Sequence, residues 1–117
     1  MMGNKEMERL AGVAADRTQE EMEAIDWAPL TNNDHCLALQ TYLRIDVYFA
    51  EGFKQIVAYR KEHKNNDDMW GVVGYGAGTA RDPIPGNINQ AIVEAAWKLG
   101  RSKERRMSRE AAQNASN

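Results

Sequence analysis

Asp34, His35 and Cys36 stand in a row, and an acid, an imidazole and a thiol are the parts of a cysteine nucleophile. They follow Thr31, Asn32 and Asn33, good N-cap residues, so they open a helix whose N-terminus can lower a thiol pKa. Adjacent helical residues point about 100° apart, however, so His35 is badly placed to serve Cys36. Cys36 falls on an apolar face, where a free cysteine packs as a small hydrophobe. Core packing is the better reading. Glu62, His63, Asp67 and Asp68 are metal-ligand types, but their spacing fits no recognised site and reads as a solvated helix end.

Asp46 is the costliest polar residue in the pattern. On a helix it lies between Leu39, Leu43, Ala50 and Phe53, inside the apolar arc. A carboxylate buried there costs several kcal/mol, on the order of a buried ion, unless paired or protonated. Arg60 is too far along the axis to reach it. The expectation is a buried polar residue held by a base or a backbone donor from another helix, with ligand binding as the functional alternative.

The stretch DDMWGVVGYGAGTARDPIPG, residues 67–86, holds five of the nine glycines and two of the three prolines. A phosphate loop needs Gly-Lys before Ser or Thr, and no Gly-Lys pair occurs. Gly74 and Gly76 begin a dinucleotide fingerprint, but Thr79 stands where the third small residue belongs. Arg81-Asp82-Pro83-Ile84-Pro85-Gly86 then cannot open a helix that aims amides at an anion. The stretch reads instead as a long Gly/Pro-rich connection. It contains a short extended segment at 69–75, whose glycines permit close backbone approach.

These residues have to be positioned by helices. KEMERLAGVAADRTQEEMEAI is rich in helix formers, and Thr18 with Glu21 reads as a capping box, giving two short helices jointed near Arg17. From about Asp34 to about His63 the apolar residues gather on an arc of roughly 200°, which predicts one long buried spine helix with Leu43 and Phe53 in its core. A last helix starts near Asn87 with Ile88, Ile92, Ala95 and Leu99 as its core stripe. Val93 and Trp97 face away from that stripe, and Tyr48 and Tyr59 lie beyond the spine's arc. Surplus aromatics of this kind suit an interface.

Charge is unevenly spread. Residues 1–34 hold eight acids and three bases (−5), and residues 98–117 hold six bases and two acids (+4), within a net of −2 over 117 residues. Arg105, Arg106 and Arg109 can share one helix side and meet phosphates, but Glu104 and Glu110 interrupt the run and no stacking aromatics accompany it. Complementarity between helices, or the terminal helix dipole, explains the asymmetry as well. One cysteine excludes an internal disulfide, and neither a bilayer-length apolar run nor a secretion signal is evident.

The expectation is an all-α protein. It is a single helical domain over 1–117, of three to four helices, joined by a Gly/Pro-rich connection at 64–86, with 1–4 and about 110–117 disordered. It is expected to be cytoplasmic and non-catalytic, with no cofactor, metal or membrane contact. Its function is that of an accessory or regulatory protein of the phage or mobile-element genre, which binds protein and self-associates as a dimer. Val93, Trp97, Tyr48 and Tyr59 form the interface and Arg101 and Arg105 its rim. The alternatives are a nucleic-acid-binding regulator using the basic C-terminal helix, and a small-ligand binder using the Gly-rich segment with Asp46.

Overall fold

The computed structural model describes residues 3–60, 71–74 and 85–116. Helix α1 spans Asn4–Ala14, and α2 spans Gln19–Ala24 behind the Thr18 cap. The capping box forms reciprocally: Thr18 Oγ1 accepts from the Glu21 amide and Glu21 Oε1 from the Thr18 amide, both at 3.1 Å. Helix α3, Asn33–Leu43, begins where Asn32 Oδ1 accepts from the amides of Asp34 and His35 at 3.0 and 3.1 Å. The starts of α2 and α3 each rest on a short polar side chain satisfying amides that the helix leaves open.

The long spine helix does not exist, and the protein is not all-α. Helix α3 stops at Leu43, where Arg44 turns left-handed at φ 54°. The chain then forms strand β1 (Ile45–Ala50), a single 3-10 turn (Glu51–Phe53) and strand β2 (Gln55–Arg60). Strand β3, Gly71–Gly74, completes an antiparallel sheet in the order β1-β2-β3. The architecture is mixed α/β. IDVYFA and QIVAYR carry β-branched and aromatic residues that favour a pleated surface, with a Glu-Gly pair between them for the turn. Apolar residues two apart therefore share a face, which a wide helical arc also accommodates.

Register decides which side chains meet. Val47 faces Ala58, Phe49 faces Ile56, and Ile56 faces Val73. With Ile45 these make the inner face, which joins Ala11, Cys36, Leu39 and Leu43 with Ala91, Ile92, Val93, Ala95 and Ala96 of the last helix in one core. That helix, α4, runs Pro85–Ser116. It lies close on the sheet because its contact positions are small and Gly71 opposes them. A Cβ on Gly71 would stand 2.9 Å from the Ala95 amide nitrogen and 3.0 Å from the Ala91 carbonyl carbon. The close approach read from the glycine stretch is realised there. Most of that stretch, with Glu62, His63, Asp67, Asp68 and Trp70, lies outside the described residues.

The other face of the sheet carries Asp46, Tyr48, Val57, Tyr59 and Val72, with Asp46 opposite Tyr59 and Val57 opposite both Tyr48 and Val72. Val57 is buried yet stands outside the common core. Among the described residues the core helices pack on the inner face.

Candidate functional site

The residues with catalytic chemistry are used structurally. Cys36 is buried, and burial pushes its thiol up to about 11, so it stays protonated near neutrality. His35 Nδ1 accepts from the Ala28 amide at 3.0 Å, which places the ring proton on Nε2. The imidazole stacks on Trp27 with centroids 5.2 Å apart, and the Arg17 guanidinium lies 4.6 Å from the same indole centroid. Trp27 Nε1 donates to the Glu8 carbonyl at 2.7 Å. Together they fasten the α2–α3 connection onto α1. Among the described residues no three His, Cys, Asp or Glu side chains gather as a metal site.

Asp46 is not a buried carboxylate. It is half-buried on the outer sheet face, and no charged side chain among the described residues is fully buried. Strand alternation turns it away from Ile45 and Val47, whereas a helical projection sets it between Leu39, Leu43, Ala50 and Phe53.

The four aromatic and apolar interface candidates separate into two places. Val93 is 0% exposed and belongs to the core, so it offers nothing to a partner. Trp97 is half-buried; the Arg101 guanidinium lies 4.5 Å from its ring centroid, and its Nε1 is buried without a hydrogen-bond partner. Tyr48 and Tyr59 do come together, edge to face at 5.9 Å across β1 and β2. Tyr48 remains 46% exposed and Val72 41%. At the turn joining these strands Phe53 is 80% exposed, the most open large apolar side chain described. Sequence reasoning had placed Phe53 in the core. Its neighbour Gly52 is the sequence signal for the turn that locates it, and Lys54 closes that turn at φ 51°.

Head and tail charges meet within the chain. Arg9 bonds Glu6 at 2.6 Å and Glu104 at 2.8 Å, and Lys103 bonds both Asp16 and the Val13 carbonyl. Arg9 holds the Glu6 and Glu104 carboxyls below their ordinary range; for Asp16, hydrogen bonds from Lys103 and then Tyr42 do the same. Helix α1 and the Asp16 turn after it thus lie on α4 in the same subunit, through one base and one acid from each side. Arg101 and Arg105 line a hollow of about 440 Å³ between α1 and α4 and make no ion pair with the described residues. No described helix is long and apolar enough to cross a membrane. No family model, curated protein or solved structure matches the chain.

Proposed function

We propose that this chain is a non-catalytic accessory or regulatory protein that acts by binding protein, and that its first partner is a second copy of itself. The genre of small cytoplasmic proteins in phage and mobile-element genomes fits such a role. The observation that carries the reading is Phe53, left 80% exposed at the β1–β2 turn of a sheet whose Tyr48 and Val72 are also open. An exposed apolar residue on its own needs no explanation, but Tyr48 and Val72 flank Val57 on one sheet face and Phe53 stands open at the turn of the same hairpin.

A second copy is favoured over a foreign partner by the charges around Phe53. Glu51 and Lys54 flank it, are exposed, and make no ion pair with the described residues. A two-fold axis near Phe53 sets each acid against the other subunit's base and each Phe53 against the other sheet, an isologous contact. Among the described strands β1 is a sheet edge, open to pairing with a second copy. Aromatic burial then supplies affinity and the Glu51–Lys54 pairs mainly orientation.

Sedimentation equilibrium across a concentration series tests this. The wild type is expected to associate, and Phe53→Ala or Tyr48→Ala to weaken association by about 2 kcal/mol, the scale of an interface hot spot. A wild type that stays monomeric throughout removes the reading.

A further inference from the structure

We infer that the Arg101–Arg105–Arg109 stripe of α4 is a docking surface for the phosphate backbone of nucleic acid, a role that goes beyond self-association and does not depend on it. Positions four and eight residues apart lie on one side of a helix, so the three guanidinium groups form a line. They flank the hollow of about 440 Å³, together with Ser108, while Leu10 supplies its apolar lining from α1. Arg101 is held against Trp97, and its Nε is buried with no hydrogen-bond partner, a donor still lacking an acceptor.

The acids that interrupt the basic run in the sequence do not cancel this line. Glu6 and Glu104 also reach the hollow and share one base, Arg9, so these three groups leave a single net negative charge beside three arginines. Glu110 is exposed on α4 and is the remaining acid of that segment. Arg101, Arg105, Arg106 and Arg109 make no ion pair with the described residues. Arg105, Arg106 and Arg109 are exposed and Arg101 is half-buried, so this side of α4 keeps a positive excess.

The partner's chemistry follows from spacing and from what the surface lacks. The line spans about 12 Å of helix axis. One strand of a duplex presents a phosphate every ~3.4 Å of its axis, so three or four lie along that length. An acidic protein partner calls for an apolar anchor at the centre of the charges, and the hollow offers only Leu10. Residues 105–115 are exposed throughout, so α4 presents a bare helix to a groove or a backbone. The contacts are to phosphate, so binding is independent of base sequence.

Fluorescence anisotropy of a labelled 20-base-pair duplex, titrated with the full chain at several salt concentrations, tests the inference. Three phosphate contacts predict that log K falls by about 2.7 per tenfold rise in salt, or about 40-fold between 50 and 200 mM. Arg105→Gln with Arg109→Gln changes two exposed side chains and leaves the fold intact by circular dichroism. It should cut that slope to about 0.9. Phe53→Ala, which tests self-association, should leave the slope unchanged. No binding at 50 mM salt, or equal slopes for wild type and the double variant, overturns the inference. So does a double variant that changes the protein's own sedimentation while the duplex stays unbound, because the arginines then serve a protein contact.

Discussion

Replacing Gly100 by alanine sets two effects of opposite sign against each other. Gly100 is interior to α4, and there alanine is favoured over glycine by about 1 kcal/mol on helix propensity. A methyl group at this position, however, meets the backbone of α1. The Cβ would stand 2.6 Å from the Leu10 carbonyl carbon, 3.2 Å from its Cα, and closer still to the oxygen. Ordinary carbon contacts need about 3.5–4.0 Å, so α1 must withdraw by roughly 1 Å. Backbone cannot rotate aside as a side chain can, and the withdrawal strains the burial of Leu10 and Ala11 and the Arg9–Glu104 pair. Overpacking costs about 1–3 kcal/mol, and the upper end applies to a backbone neighbour. The net expectation is a loss of about 2 kcal/mol, read as a fall of about 1 M in the urea midpoint with little change in slope. Gly86→Ala is the control, since nothing lies within 4 Å of its Cβ position in the first turn of the same helix. That variant should gain between zero and about 1 kcal/mol. If Gly100→Ala also raises the midpoint, α1 does not pack on α4 as described.

Leu43 and Phe53 should now behave oppositely: Leu43→Ala, at 4% exposure, costs about 2–5 kcal/mol, and Phe53→Ala leaves monomer stability within about 0.5 kcal/mol by chemical denaturation. Lys54→Gly should stabilise by up to about 1 kcal/mol, because Lys54 holds a left-handed φ of 51° that glycine adopts freely; in a continuous helix the same change would cost about 1 kcal/mol, so the sign of the midpoint shift discriminates. On acidification, the lowered pKa values of Glu6, Glu104 and Asp16 mean that their ion pairs stabilise the fold above the ordinary carboxylate range and are lost as pH falls through the folded values. All are largely solvated, so the sum is about 1 kcal/mol or less, and Arg9→Gln should flatten part of the midpoint change between neutral and acid pH. Equal acid sensitivity in that variant and the wild type would refute the assignment.

The helical ends of the chain were legible in the sequence for local reasons. Thr18 and Glu21 form the box that their spacing announces, and Ile92 and Ala95 are buried on α4 as its apolar stripe requires. The short extended segment near Gly71 is β3. The middle of the chain misled because an arc of roughly 200° accepts most directions, so a period of two passes for a period of 3.6. Ile45, Val47 and Phe49, then Ile56 and Ala58, alternate strictly across Gly52, and Arg44 gives no sequence warning of its left-handed turn. Once the period is misassigned, Asp46 moves into the core and Phe53 with it. Tyr48 and Tyr59 were picked out for facing away from the supposed spine, and the sheet pairs them because both lie on its outer face. Val93 failed as an interface residue because α4 is wrapped on more than one side, by the sheet and by α1 and α3, so a single stripe underestimates what it buries.

Residue-resolved chemical shifts of isotope-labelled protein, followed on dilution, test the central claim of self-association through the sheet most directly. Concentration-dependent shifts are predicted at the amides of Tyr48, Phe53 and Val72 and their strand neighbours, with Leu39 and Ala11 unmoved in the core. Spectra that do not change with concentration, or changes confined to the exposed end of α4, would contradict it.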